Sequence, residues 1–165
     1  MNPKIGVNFS DLIFSTEPAN TSSLAEMGWS IGIDADYGNK WLAQGGIHYF
    51  QLGSGVQMPR DTQVVSASQL KIPMGVGLRV LSIDYFHLWL HSQAVVNFTT
   101  RMRRGNLVLD KKDYPRTGLA GRVGIGMDLW KITLELNYEY SFTDLVNESI
   151  FARNEMISLA LGVKI

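Results

Sequence analysis

Three histidines, His48, His87 and His91, are the side chains whose type suits proton transfer or metal ligation near neutral pH. Ser92 follows His91, the raw material of a nucleophile and its base. Glu135 and Glu139 lie close enough in sequence to raise the question of a carboxylate pair. A basic stretch holds Arg101, Arg103, Arg104, Lys111, Lys112 and Arg116 against only Asp110 and Asp113. Cysteine is absent, which removes disulfides, thiolate metal sites and cysteine nucleophiles together. Gly124-Ile125-Gly126 is no dinucleotide fingerprint, because no helix follows it. Which of these groups can meet depends on the elements that carry them.

Those elements read as strands. Apolar residues alternate with small or polar ones in segment after segment. From Ile132 to Thr143, the residues Ile132, Leu134, Leu136, Tyr138, Tyr140 and Phe142 share one face, and Thr133, Glu135, Asn137, Glu139, Ser141 and Thr143 share the other. A helix cannot sort such a pattern, since its faces recur at i+3 and i+4. The same alternation runs through segments beginning near Ile5, Met27, Trp41, Leu70, Tyr85, Leu119 and Ile157, which predicts eight strands. Most are about as long as the ~9–11 residues of a membrane-spanning strand.

Strand geometry then constrains the chemistry. His87 and His91 on one strand are roughly 13 Å apart at ~3.3 Å per residue, too far for one zinc ion with Zn–N near ~2.1 Å. His48 could meet one of them only across an interior. Ser92 and His91 point to opposite faces, so spacing assembles no Ser-His-acid set. Glu135 and Glu139, four apart on a strand, are not a close pair. The expectation is no catalytic residue, no metal and no cofactor.

Composition sets the class. The 165 residues make one domain, residues 1–165. Lys plus Arg and Asp plus Glu are 15 each, for zero net charge, which argues against a nucleic-acid binder relying on phosphate neutralisation. Charged residues are 18% and hydrophobic residues 45%, with mean hydropathy +0.01. No apolar run is long enough for a transmembrane helix. The opening Met1 to Gly6 lacks the features of a secretory signal, so the expectation is a chain whose signal has been removed.

The connections between strands alternate strictly in length. Gly38-Asn39-Lys40, Leu81-Ser82-Ile83 and Trp130-Lys131 are short, whereas residues 11–26, 53–69, 99–117 and 144–155 are long. That is the up-and-down meander of an antiparallel outer-membrane barrel, with short periplasmic turns and long extracellular loops. Glycine placement chooses the inner face. Gly6, Gly28, Gly32, Gly75, Gly77, Gly124, Gly126 and Gly162 all fall on the polar face. Glycine weakens a solvated strand, but an eight-stranded barrel leaves an interior just wide enough for side chains, where small residues make room. Trp29, Tyr37, Trp41, Tyr49, Phe86, Tyr138, Tyr140 and Phe142 lie towards the ends of the apolar face, as in aromatic girdles. The alternative is a soluble lipocalin-like barrel carrying an apolar ligand, with the apolar face inside.

Three short stretches carry a family resemblance. Ile5-Gly6-Val7-Asn8-Phe9-Ser10, Leu70-Lys71-Ile72-Pro73-Met74 and Leu159-Ala160-Leu161-Gly162-Val163-Lys164-Ile165 resemble the first, fourth and last strands of small outer-membrane β-barrel domains common in Bacteroidetes, similar in architecture to OmpA/OmpX-type barrels. Lys71 stands where an acidic residue is usual in that group, and Ile165 where an aromatic one is. The resemblance implies residence in the bacterial outer membrane and no shared activity.

On this reading Lys71, Arg79, Arg122, Asp128, Glu135, Glu139, Asp34, Asp36, His48, His87 and His91 form a lumenal polar network, joined by Lys4 and Lys164. Buried charges must be paired, so the lumen is expected to be filled and non-conducting. Arg101, Arg103, Arg104, Lys111 and Lys112 are the candidates for contact with an anionic surface such as lipopolysaccharide or an acidic partner. The expected protein is a monomer of structural, adhesive or surface-recognition type, in contact with outer-membrane lipid and with a possible extracellular or membrane protein partner. A lipid-modifying barrel enzyme is the remaining alternative.

Overall fold

A computed structural model describes the backbone of residues 1–14, 22–58, 61–104, 107–108, 117–142 and 152–165. The strands are β1 (Asn2–Phe14), β2 (Ser22–Gly38), β3 (Trp41–Met58), β4 (Asp61–Ile83), β5 (Phe86–Arg104), β6 (Leu107–Val108), β7 (Thr117–Leu129), β8 (Ile132–Ser141) and β9 (Ala152–Val163). Every pairing is antiparallel. β1 pairs with both β2 and β9, and β4 pairs with β5, so the ladder returns on itself. The two-residue β6 only edges β5, opposite Arg103 and Arg104. The eight long strands therefore close a barrel, as the alternation predicts.

The apolar face is outside. In β8, Thr133, Glu135, Asn137, Glu139 and Ser141 are buried, while Ile132, Leu134, Leu136 and Tyr138 are exposed. Leu136 is 47% exposed and Lys71 is 0%. Exposed Ile5, Ile31, Ile47, Val76, Leu90, Val123, Ile125, Leu159 and Leu161 carry the same sorting around the wall. Soluble monomers rarely expose an apolar patch beyond ~300–600 Å². A belt of this extent requires hydrocarbon around it. A carrier barrel needs these side chains turned inward, and they are not.

One rim gathers the chain ends and the tight turns. Met1 and Ile165 exchange hydrogen bonds of 3.3 and 3.0 Å, and the Lys164 amide donates to the Lys131 carbonyl at 2.7 Å. Asp84-Tyr85 and Trp130-Lys131 turn the chain there, with positive φ at Asp84 (39°) and Trp130 (55°), the conformation that two-residue hairpins require. Gly38 enters its turn at φ 128°, where a side chain is strained. Trp130 also donates its amide to the Tyr85 carbonyl at 2.7 Å, tying two of the turns together. The middle turn lies later than expected: Leu81-Ser82-Ile83 belongs to β4, and Tyr85, where the fifth strand was expected to begin, sits exposed in the turn.

At the other rim the strands outrun the sequence pattern. Residues 53–69 read as a connection, yet β3 and β4 stay paired as far as Met58 and Asp61. Likewise β5 runs on to Arg104, β1 to Phe14, and β2 and β9 begin at Ser22 and Ala152. Ladder hydrogen bonds do not depend on side-chain polarity, so pairing continues where alternation fades.

Candidate functional site

The lumen is built from the inward residues of all eight long strands, and register decides which of them meet. Bulky inner side chains stand opposite glycines. Trp89 faces Gly126 and His91 faces Gly124 across β5–β7. His48 faces Gly32 and Asp34 faces Gly46 across β2–β3. Lys4 faces Gly162, and Asn8 faces Gly28. A Cβ at Gly126 would meet the Trp89 indole, and one at Gly124 would meet His91 and Asn137. Small residues paired with large ones fill a narrow taper. The glycines thus admit aromatic rings as well as the charges that the sequence suggested.

Three polar layers follow along the axis. Nearest the turn rim, Asn2 Nδ2 donates to Thr133 Oγ1 (3.0 Å), Thr133 Oγ1 donates to Asp128 Oδ1 (2.8 Å), and Lys164 Nζ donates to Asp128 Oδ2 (2.6 Å). In the second layer Lys4 Nζ bridges Asp34 Oδ2 (2.7 Å) and Glu135. His48 Nε2 lies 2.6 Å from Asp34 Oδ1, and Asn137 Nδ2 donates to Glu135 Oε1 at 2.8 Å. In the third, Glu139 accepts from Lys71 and from Arg122, whose Nε and Nη2 lie 3.1 and 2.7 Å from Oε2. Lys71 Nζ and the Arg122 guanidinium lie 4.6 and 5.8 Å from the Phe50 ring centroid, so the aromatic face helps hold two cations around one carboxylate. Phe50, Leu52 and Met156 form an apolar cluster, with Ala67 packed against it. Glu135 and Glu139 serve different layers, as their separation implies.

Not every expected member joins. Arg79 leaves the network for Asn39, donating from Nη1 at 3.1 Å in an exposed contact. His87 Nδ1 lies 2.8 Å from Ser82 Oγ, also exposed. Asp36 is half-buried and accepts from Gln44 Nε2 at 3.0 Å. These residues have the right face but sit near the turn rim, and alternation gives no height. His91 packs on Trp89, ring centroids 5.1 Å apart. Sequence reasoning missed Asn2, Thr133, Asn137 and Phe50 as partners. All four lie on the polar face that alternation defines, which was the available signal.

Among the described residues the Ser–His contact is Ser82 with His87, not the pair that sequence raised. Asp128 faces His87 in the ladder, yet its oxygens accept from Thr133 and Lys164, so among the described contacts Asp128 does not orient His87. Among the described residues no group of His, Asp and Glu is placed to hold a metal ion.

At the far rim Arg101 is exposed. Arg101 stands opposite Ser68, Arg103 opposite Ser66 and Arg104 opposite Val65 on β4. Lys111 and Lys112 lie outside the described residues.

The sequence matches no known family pattern and no curated protein. Solved structures do match in fold. The crystal structure of Ail, the attachment invasion locus protein of Yersinia pestis, in complex with the heparin analogue sucrose octasulfate, is similar with TM-score 0.59 at 14% identity, over 98% of this chain and 96% of that one. Neisserial surface protein A is similar with TM-score 0.60 at 14% identity, over 99% and 96%. The outer membrane enzyme PagL gives 0.50 at 11%, over 96% and 99%. With its apolar belt outside and its ion pairs within, the chain has the fold of the small eight-stranded outer-membrane β-barrels.

Proposed function

We propose that this protein is a monomeric surface-recognition barrel of the bacterial outer membrane, with the turn rim in the periplasm and the basic rim outside the cell. Its lumen neither conducts nor catalyses, and its basic rim takes an anionic ligand. The observation that carries this reading is the third layer. Lys71 is wholly buried, bonded to Glu139 and covered by Phe50, so the axis is occupied by groups committed to one another. What remains for recognition is the rim, where Arg101 is exposed and its cationic neighbours follow within a few residues. The similarity to Ail, solved with a sulfated polyanion, supports the ligand class. An enzymatic reading is weaker, because among the described contacts Asp128 does not orient the Ser82–His87 contact.

The test uses the full chain in zwitterionic nanodiscs, titrated with sucrose octasulfate and separately with diphosphoryl lipid A. Expected is binding of at least one of these anions that weakens with salt and falls at least about tenfold in the Arg101→Gln, Arg103→Gln, Arg104→Gln variant. Salt-independent binding, or unchanged affinity in that variant, overturns the reading.

A further inference from the structure

One register row crosses the lumen without an acidic or basic chain in it, apart from the imidazole of His91. His91 on β5 faces Gly124 on β7, and Gly124 faces Asn137 on β8. Asn137 faces Ser158 on β9, Ser158 faces Asn8 on β1, and Asn8 faces Gly28 on β2. On β8 the row passes at Asn137, midway between Glu135 of the second layer and Glu139 of the third. Ladder neighbours on adjacent strands stand about 5 Å apart, so the row is a continuous polar strip between two sets of ion pairs.

The polar atoms of this strip have no protein partner. Among the described residues, both ring nitrogens of His91, Oδ1 of Asn137 and both amide atoms of Asn8 are buried and unbonded. The most exposed of the three residues, His91, is at 6%. Trp89 Nε1, on the ring stacked against His91, is unbonded as well. Asn137 is held in its orientation, because its Nδ2 donates to Glu135 Oε1 at 2.8 Å. Its Oδ1 leans over Gly124, and His91 Nε2 leans over the same spot: a Cβ at Gly124 would meet both. A Cβ at Gly28 would meet Asn8 Oδ1. Buried polar side chains are nearly always bonded, either to protein or to ordered water. A direct His91–Asn137 bond would use one ring nitrogen and leave the other unpaired, together with the whole Asn8 amide.

The chemistry of the guest follows from this inventory. The Asn8 amide offers donors and an acceptor, a neutral imidazole offers one of each, and Asn137 Oδ1 accepts. A cation would satisfy only the acceptors, and an anion only the donors. A molecule that donates and accepts from a single heavy atom, making about three bonds at such a site, is water. We infer that the His91–Asn137–Ser158–Asn8 row is a hydration site inside the barrel. One ordered water bridges His91 and Asn137 over Gly124, and another pairs the Asn8 amide over Gly28. The first water links Glu135, through Asn137, to the His91 ring. The ion pairs on either side hold these waters in place.

The experiment uses the full chain, labelled with deuterium and nitrogen-15 and refolded in detergent micelles. Water-selective NOE and ROE spectra read transfer from water to the Asn8 side-chain amide and to the His91 ring N–H. Oxygen-17 relaxation dispersion counts the long-lived waters in parallel. Gel heat-modifiability confirms a folded barrel for each variant. Expected are cross peaks at both groups, with the sign of water that tumbles with the protein. Asn8→Leu and His91→Phe should each lower the count by about one to two waters, and Ser158→Ala should leave the Asn8 cross peaks in place. Absence of a water cross peak at His91 or at Asn8 in the folded wild-type barrel overturns the inference, and that measurement needs no variant. A count unchanged in both folded variants also overturns it. So does loss of the Asn8 cross peaks in Ser158→Ala, which would trace them to exchange with the serine hydroxyl. A scalar coupling across a direct His91–Asn137 bond, with no water peak at His91, does the same.

Discussion

Trp89 stands directly across the β5–β7 ladder from Gly126, and its indole occupies the space a Cβ at that glycine would need. Trp89 is 1% exposed. The ring therefore has nowhere to retreat, unlike the far end of a flexible side chain. Gly126→Ala should destabilise the barrel by about 1–3 kcal/mol through overpacking. Gly45 is the comparison, since a Cβ there comes no nearer than 3.9 Å to the Pro73 carbonyl oxygen. Gly45→Ala should change stability by less than about 0.5 kcal/mol. Urea titration in detergent micelles measures both, and equal effects would contradict the packing described.

Glu139 is the only carboxylate bonded to Lys71 and Arg122 among the described contacts. Glu139→Gln leaves two buried cations without their anion. A loss of about 3–5 kcal/mol is expected, the cost of breaking a buried pair by removing one partner. Lys71→Met combined with Glu139→Gln should lose less than the two single changes together, because the residues share one network. A double-mutant cycle by equilibrium unfolding reads the coupling, and simple additivity would show that the layer does not act as a unit.

Leu136 sits on the outer wall midway along β8, between Leu134 and Tyr138. Leu136→Arg should cost about 2–4 kcal/mol in a bilayer, the midplane cost of a cation on a barrel's lipid face. The same substitution at exposed Ile132, next to the turn rim, should cost about 0–1 kcal/mol. Refolding titrations into lipid vesicles distinguish the two positions, and equal costs would place the membrane elsewhere on the wall.

On the proposed reading, the three polar layers and the Phe50–Leu52–Met156 cluster close the lumen to ions. Planar bilayers containing the protein should show no stepwise current at either polarity. Reproducible openings of one conductance would mean that the layers separate in the membrane.

Strand number, antiparallel order and the inner face were legible because alternation has a period of two, and two faces are all it must distinguish. Ile132 to Ser141 shows this well, since every residue lies on the face its type requires. Height was not legible. Arg79 and His87 share the face of Lys71, yet they bond to Asn39 and Ser82 near the turns. Pairings across the barrel were hidden too. Nothing in one sequence says that Lys4 will reach Asp34 and Glu135, because strand offset decides it. The upper reaches of β3 and β4 failed for a different reason: Gly53 and Gly55 interrupt the apolar pattern without interrupting the backbone ladder. The irregularity between β4 and β5 at Thr100 is a single inserted residue among polar neighbours, and only the register exposes it.

The glycine–bulk rungs of the lumen also bear on how this protein can change over generations. His48 with Gly32, Trp89 with Gly126 and Lys4 with Gly162 each divide a fixed volume between two rungmates. Enlarging one member while keeping the other is selected against, whereas moving the bulk across the rung preserves the total. Relatives of this barrel should therefore swap their large and small interior residues in couples, and those couples should stand out as covarying columns even where the lipid-facing wall has drifted freely.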